Sequence, residues 1–298
     1  MPRRCPKRIA LGLLTLILGL VPSWPVARAE THPVVRPKLV VPERPEPHRT
    51  LDPAALSASP PHPAARAAAG ALPSGIEPGV PVRLAVPGDK PVFVIHAGAE
   101  NRRPILYMHG QCGNVRAVDS WKQAAAAHGT LIGLIGERPC GGGRFKWSKK
   151  LELVRARIER AFAAVERARG GLLDRSQLVL FGYSQGADRA EALVARWPDD
   201  YRLVVLGGPS REPRLRHLGA TTAVAVFGGE HETTGHMRAG AELLAAAGKP
   251  VRFFALPAAK HGEYGPDGNR VIGEVLSFIA SAGDERAQSA ELVAPALP

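Results

Sequence analysis

The chain has 298 residues, of which 45% are hydrophobic, and a formal net charge of +12. It is long enough to bury a sizeable core, and its charge does not indicate nucleic-acid binding because no basic stripe is interleaved with aromatic residues. Five of the 39 basic residues and none of the 27 acidic residues precede residue 30, so the chain after that point carries +7. This moderate charge fits an envelope or extracellular protein that meets acidic polymers.

Residues 1–29 have the three parts of a secretory signal peptide. A basic start is followed by an apolar run from Ile9 to Leu20 and by small residues that place the cleavage site after Ala29. The run is shorter than the roughly 20 residues that a membrane-spanning helix needs. We therefore expect a protein that is secreted or held in the periplasm or cell envelope, with membrane contact only through this segment. The alternative is an uncleaved N-terminal anchor.

Residues 30–79 are rich in proline and alanine and lack apolar periodicity. This composition predicts a largely disordered linker. We expect one folded domain over residues 80–283 and a flexible tail over residues 284–298. The pattern sets no oligomeric state.

Within the predicted domain, short β-branched runs alternate with helical patterns. The predicted strands span residues 82–86, 91–95, 104–108, 131–135, the run from 178, 203–206, 223–227 and 251–256, and the predicted helices cover 117–128, 150–169, the run from 187, and the segment around 271–279. Strands that are almost continuously apolar are typical of a sheet buried on both faces. The pattern predicts an α/β fold with a mostly parallel sheet of eight strands and helices on both faces.

The segment from Gly182 to Gly186 carries the strongest local signal. It reads Gly-Tyr-Ser-Gln-Gly, an apolar run precedes it, and a helix-forming run follows it. Strand, sharp turn and helix make this pattern a nucleophile elbow, which lifts the hydroxyl of Ser184 above the sheet edge. The alternative is a glycine-flanked turn with an ordinary serine.

A serine hydroxyl is a weak nucleophile and needs a base, and the base needs a group that orients it. His261 is the predicted base, because it lies in a short loop after the last predicted strand. Two glutamates, Glu230 and Glu232, follow the strand before that one, and either carboxylate could accept from the imidazole.

An oxyanion formed at the serine needs two backbone N–H donors. One is Gln185, directly after the nucleophile. The other is Gln111, in the loop after the third predicted strand (residues 109–114), which we call the donor loop. His109 in that loop is expected to hold the loop in place rather than to act as a base.

A zinc site at His231 and His236 is a competing interpretation. Zinc-binding helices place two histidines four residues apart so that both face the metal, whereas these are five apart. We therefore predict no metal, and the serine chemistry requires no organic cofactor.

Taken together, these motifs resemble the α/β-hydrolase fold family over residues 80–282, with the family order of serine, acid and histidine. The resemblance implies a serine hydrolase acting on a small-molecule or polymer carboxylic ester or thioester, and its usual spacing favours Glu232 over Glu230 as the acid. The connection over residues 207–221 is too short for a lid domain, which implies an open site like that of small carboxylesterases and dienelactone-hydrolase-like enzymes. The elbow is similar to that of cutinase-like esterases, but the flanking cysteine of cutinases is absent.

Three further expectations concern the surroundings of this site. Cys112 and Cys140 both follow strands at the carboxyl edge of the sheet, and we hypothesise a disulfide that fixes the donor loop, with two buried free cysteines as the alternative. Tyr183 and Trp147 are the predicted substrate contacts. A serine peptidase on the same fold and a non-catalytic envelope-binding module are the alternative functions.

Overall fold

A computed structural model describes residues 71–171 and 173–293. The predicted signal peptide, residues 1–29, and most of the predicted linker lie outside the described residues.

The described residues form ten strands and six α-helices. The strands are β1 (Pro81–Leu84), β2 (Val92–Ile95), β3 (Pro104–Met108), β4 (Thr130–Leu134), β5 (Arg138–Gly141), β6 (Arg144–Lys146), β7 (Val179–Tyr183), β8 (Leu203–Gly207), β9 (Ala223–Gly229) and β10 (Val251–Leu256). The helices are α1 (Lys122–His128), α2 (Leu151–Ala168), α3 (Gln185–Arg196), α4 (Leu215–Leu218), α5 (Gly235–Ala246) and α6 (Gly268–Val293).

Eight of the strands form one sheet in the order β1-β2-β4-β3-β7-β8-β9-β10. β1 pairs antiparallel with β2, and β2 pairs antiparallel with β4, whereas every pair from β4 to β10 is parallel. The predicted fold class, with a mostly parallel eight-stranded sheet, is confirmed.

Helices cover both faces of this sheet, as the unbroken apolar strands require. On one face, α2, α3 and α5 contribute apolar side chains such as Ile158, Leu193 and Leu244. On the other, α6 and the segment before α1 contribute Trp121 and Val275, both fully buried. The parallel strands therefore all end at one edge, between two helical layers, and the loops that follow them meet there.

The absence of a lid is also confirmed for the described residues. The connection between β8 and β9 holds only the four-residue helix α4. No helix in the described ranges is long and apolar enough to cross a bilayer.

Two boundaries differ from the prediction. The segment predicted as one helix over residues 117–128 begins as a 3-10 helix, Val115–Trp121, and becomes α-helical only at Lys122. The side chain of Asn114 accepts from the amide of Arg116 and starts the 3-10 turn. The last helix continues to Val293, beyond the predicted domain boundary at residue 283.

Candidate active site

Ser184 lies at the sharp turn between β7 and α3. Its backbone has φ 51° and ψ −120°, a strained conformation for a residue with a side chain. A Cβ on Gly182 would collide with the backbone of Gly186, and one on Gly186 would collide with the carbonyl of Met108. The two glycines therefore allow the tight turn that the sequence pattern predicted, and the turn presents the hydroxyl at the carboxyl edge of the sheet.

His261 lies in the loop after β10. Its Nε2 is 2.9 Å from Oγ of Ser184, within hydrogen-bonding distance. The next residue, Gly262, donates its amide hydrogen to the hydroxyl oxygen of Tyr183 at 2.7 Å, which fixes the loop against the elbow strand. The predicted nucleophile and the predicted base are thus brought together from positions 77 residues apart in the chain.

Glu232 contacts the other ring nitrogen of His261. Its Oε2 is 2.6 Å from Nδ1, and its Oε1 accepts from the amide of Gly229 at 2.7 Å. Glu230 instead accepts from the amide of Ala258 at 3.1 Å. Of the two glutamates between which the sequence chose only by resemblance, Glu232 is the one that lies on the imidazole.

His261 and Glu232 each stabilise the charged form of the other side chain. The hydrogen bond to Glu232 raises the pKa of His261 above its usual 6.5, although partial burial opposes the rise. Burial tends to raise the pKa of Glu232, but hydrogen bonds from His261 and from the amide of Gly229 outweigh it and lower the pKa. The carboxylate is therefore ionised at neutral pH and stabilises a proton on the imidazole.

His109 is the first residue of the donor loop after β3, and its buried side chain holds that loop in place. The amide of Gly136 donates to Nε2 of His109 at 3.0 Å. Because an N–H can only donate, the ring hydrogen is assigned to Nδ1, which donates to the carbonyl of Gly110 at 2.7 Å. Burial lowers the pKa of His109, so the ring is neutral, as this pair of contacts requires.

These contacts set the direction of the Gln111 amide. The carbonyl of Gly110 also accepts from the amide of Gly113 at 3.0 Å. The carbonyl of Gly110 and the N–H of Gln111 belong to one planar peptide unit and point in opposite directions. A Cβ on Gly110 would lie only 3.2 Å from Cβ of Ser184. The structure thus fixes the peptide of the predicted donor Gln111 directly beside the serine.

Gln185, the other predicted donor, is the first residue of α3, where backbone N–H groups have no partner within the helix. Its side-chain oxygen accepts from the amide of Trp147 at 2.8 Å, which ties the helix start to the segment after β6.

The prediction that Trp147 contacts substrate is wrong. Its side chain is only 3% exposed, and its indole N–H donates to the carbonyl of His109 at 2.7 Å. Its ring also packs on the imidazole of His109, with centroids 5.1 Å apart. Trp147 therefore supports the donor loop from below, because an indole that can satisfy its N–H in the interior gains more from burial than from exposure.

The hypothesised disulfide between Cys112 and Cys140 is present, and it closes a separation of 28 residues. It joins the donor loop to the hairpin of β5 and β6. The amide of Phe145 in that hairpin donates to the carbonyl of Gly113 at 3.3 Å. Cys112 has φ 49°, so the bond also holds a backbone conformation that is unfavourable for a side-chain-bearing residue.

A cavity of about 370 Å³ opens beside Ser184 and His261. Three tyrosines form its aromatic wall, namely Tyr107, Tyr183 and Tyr264. Tyr183, which the sequence predicts as a substrate contact, is one of these three. Burial raises its pKa to about 12, so its hydroxyl is protonated at neutral pH. Sequence reasoning missed Tyr107 and Tyr264. The only signal for them was the position of Tyr107 near the carboxyl end of β3.

Within residues 71–171 and 173–293, no three histidine, cysteine or acidic side chains are grouped so that they could hold a metal ion. His231 lies in a turn before α5, and Nε2 of His236 is 2.8 Å from the carbonyl of Pro209.

No protein-family model and no curated protein matches the sequence. Solved structures are similar to it. A carboxylesterase from Mesorhizobium loti matches with a TM-score of 0.50 and 23% identity, over 65% of this chain and 98% of that chain. A predicted CIB-like hydrolase from Thermoplasma acidophilum matches with a TM-score of 0.49 and 16% identity, over 68% of this chain and 98% of that chain. Esterase 2 of Thermogutta terrifontis, phosphorylated by paraoxon, matches with a TM-score of 0.46 and 17% identity, over 72% of this chain and 96% of that chain.

Proposed function

Because the chain has the α/β-hydrolase fold, we propose that it hydrolyses carboxylic esters or thioesters through a serine nucleophile and an acyl-enzyme. The observation that carries this proposal is the continuous pair of hydrogen bonds from Ser184 through His261 to Glu232, at 2.9 Å and 2.6 Å. Nucleophile, base and orienting acid within hydrogen-bond reach are what nucleophilic catalysis by serine requires.

In the first step, Oγ of Ser184 attacks the ester carbonyl while its proton passes to Nε2 of His261. The resulting imidazolium lies against the carboxylate of Glu232, which stays ionised throughout. The raised pKa of His261 helps here, because it makes the imidazole a better proton acceptor in the transition state.

The tetrahedral intermediate carries a negative charge on the former carbonyl oxygen. The amides of Gln111 and Gln185 are the proposed donors to that oxygen. The fixed peptide of Gln111 supports this role, because a donor that needs no reorientation during the reaction gives the largest stabilisation, about 3–4 kcal/mol for one donor in a well-studied protease.

Collapse of the intermediate breaks the ester bond, and the imidazolium of His261 returns the proton to the leaving alcohol or thiol. Water then attacks the acyl-serine with His261 again as base, and the acid is released. The cycle consumes only ester and water, so the proposed mechanism needs no metal or organic cofactor.

We propose further that the protein acts outside the cytoplasm, in the cell envelope or medium. The signal-peptide pattern of residues 1–29 and the Cys112–Cys140 disulfide favour such an oxidising location. N-terminal sequencing of the exported protein should find residue 30 first, and a mature protein that retains Met1 would contradict cleavage.

The test of the proposed function uses a fluorophosphonate probe and p-nitrophenyl esters of graded chain length. Wild type should be labelled on Ser184 and should hydrolyse the esters. Ser184→Ala should lose both properties. Ser176→Ala is the matched control, since Ser176 is exposed and precedes the start of β7, and it should behave as wild type. Absence of labelling in wild type would favour a binding module, and faster cleavage of p-nitroanilides than of esters would favour a peptidase.

A further inference from the structure

A second and larger cavity, of about 750 Å³, lies on the other side of the donor loop. His109, Gly113 and Asn114 line both this cavity and the one beside Ser184. Gly110 packs against Ser184, and Gly113 packs against Gly110, so the wall between the cavities is one loop thick. The two cavities are therefore neighbours, and the mechanism above does not use the larger one.

The lining of this cavity is cationic. Arg83, Arg116 and Lys122 line it, together with one acidic residue, Asp119. Nε of Arg116 pairs with Asp119 at 3.0 Å, whereas Arg83 and Lys122 form no ion pair with any residue of the described ranges. His109 adds no charge, because burial keeps it neutral. Among the described residues, two positive charges at the cavity thus have no ion-pair partner.

The hairpin that borders the cavity adds to this positive potential. Arg138 on β5 lies directly opposite Lys146 on β6. Like charges at directly opposite strand positions repel each other and cost stability. Arg144 in the same hairpin is exposed, and no ion pair within the described part of the chain neutralises any of the three. Such an arrangement attracts anions to this edge of the sheet.

The floor of the cavity, in contrast, is apolar. It is formed by Phe93, Val115, Ile135 and Phe145. Nζ of Lys90 lies 4.9 Å from the centre of the Phe145 ring and donates to the carbonyl of Glu137, so this cation is already satisfied and holds the ring in place. An apolar floor with a cationic rim is complementary to a ligand that has a hydrocarbon body and an anionic end.

We propose that the second cavity binds the distal part of the substrate, and that this part is an apolar chain or ring ending in a carboxylate or another oxyanion. Arg83 and Lys122 bind the anion, and the aromatic floor binds the body. This inference rests on the proposed ester hydrolysis and narrows its substrate class to anionic esters.

The kinetic test compares esters that differ only in charge. On the acyl side the pair is p-nitrophenyl hydrogen adipate and p-nitrophenyl hexanoate. On the alcohol side the pair is 4-(carboxymethyl)phenyl butyrate and 4-ethylphenyl butyrate. Arg83 and Lys122 each add one solvent-exposed ion contact to the substrate carboxylate. At low ionic strength, kcat/KM should therefore be about tenfold higher for the anionic ester in the pair whose carboxylate enters the cavity. Added salt should reduce this preference.

The variant Arg83→Gln/Lys122→Gln should lower the preference for the anionic ester to about twofold or less. The matched control is Arg167→Gln/Lys249→Gln, which removes the same charges at the opposite edge of the sheet and should keep the preference. Equal kcat/KM for charged and neutral members of both pairs in wild type would overturn the inference, as would an unchanged preference in Arg83→Gln/Lys122→Gln.

A binding measurement decides the inference even if no ester is hydrolysed. In the Ser184→Ala background, calorimetric titration uses stable amides of the same two designs: adipic acid monoanilide against hexananilide, and N-(4-carboxymethylphenyl)butanamide against N-(4-ethylphenyl)butanamide. The anionic amide should bind about tenfold more tightly than the neutral one in one of the two pairs. Adding Arg83→Gln/Lys122→Gln should abolish that difference. Hydrolysis of neither ester pair would contradict the proposed function, whereas equal binding of the charged and neutral amides in both pairs would contradict the anion site.

Discussion

Replacing Glu232 by glutamine tests the proposed triad most sharply, because each oxygen of this carboxylate has its own partner. Oε1 accepts from the amide of Gly229, and Oε2 faces Nδ1 of His261. In Glu232→Gln the amide oxygen stays on the Gly229 N–H, which can only donate. The amide NH₂ then takes the place of Oε2 and donates to Nδ1. The ring hydrogen moves to Nε2, where it faces Oγ of Ser184.

An imidazole in that tautomer cannot accept the serine proton. The corresponding change in a well-studied serine protease lowers kcat about 10⁴-fold, which corresponds to about 5.4 kcal/mol of transition-state stabilisation. We expect a loss of about this size in Glu232→Gln. The fold should be unaffected, because the hydrogen bond to Gly229 is kept.

The pH profile supplies a second readout. The hydrogen bond to Glu232 raises the pKa of His261, and the base works only when it is unprotonated. In wild type, kcat/KM should therefore fall as the pH drops, with a midpoint above 6.5. Removal of the carboxylate lowers the pKa of His261, so the residual activity of Glu232→Gln should persist to lower pH.

Glu230→Gln is the matched control, because the same chemical change is made two residues away, at an exposed side chain that accepts from the backbone of Ala258. Its kcat should stay within about twofold of wild type, since a surface contact of this kind contributes little. The assay is steady-state hydrolysis of p-nitrophenyl butyrate from pH 5 to 9. The reasoning is refuted if Glu232→Gln keeps more than one tenth of wild-type kcat, or if Glu230→Gln is the more damaging change.

Two predictions concern stability and are checked by urea unfolding. Replacing Cys112 and Cys140 together by serine opens a loop of 28 residues and should lower the free energy of unfolding by about 3.6 kcal/mol; dithiothreitol-treated wild type should match it, and an unchanged midpoint in both would contradict the entropic argument. Burial lowers the pKa of His96 from 6.5 to about 4. Between these values only the unfolded chain gains the proton, so stability should fall as the pH drops, by up to about 3 kcal/mol. His96→Gln should flatten that dependence, and an unaltered slope in this variant would assign it to other groups.

The strands and the nucleophile turn could be predicted because their signals are local. β3 has the predicted bounds, and β10 likewise agrees, since an apolar run bounded by turn residues has few alternative structures. The 3-10 helix before α1 is harder to predict from sequence, because a 3-10 helix and an α-helix place apolar residues at nearly the same spacing. Only the cap at Asn114 marks where this 3-10 helix begins.

Trp147 shows where local signals fail. A tryptophan after a glycine-rich stretch is equally compatible with a pocket rim and with the interior. Its burial follows from an acceptor, the carbonyl of His109, that lies 38 residues away in sequence. The same holds for Tyr107 and Tyr264, whose hydroxyls lie 3.2 Å apart across 157 residues. Neither contact leaves a trace in the neighbouring sequence.

The sequence by itself determined the layered α/β architecture, the strained serine turn and which histidine lies beside Ser184. Each of these depends on residues adjacent in the chain. Tertiary structure alone decided which of two neighbouring glutamates meets the imidazole and that Cys112 and Cys140 are bonded. It also decided that two cations with no ion pair in the described part of the chain border a cavity behind the donor loop. These outcomes depend on the directions in which loops from separate strands leave the sheet edge. Those directions are set by the packing of the whole domain rather than by any short segment.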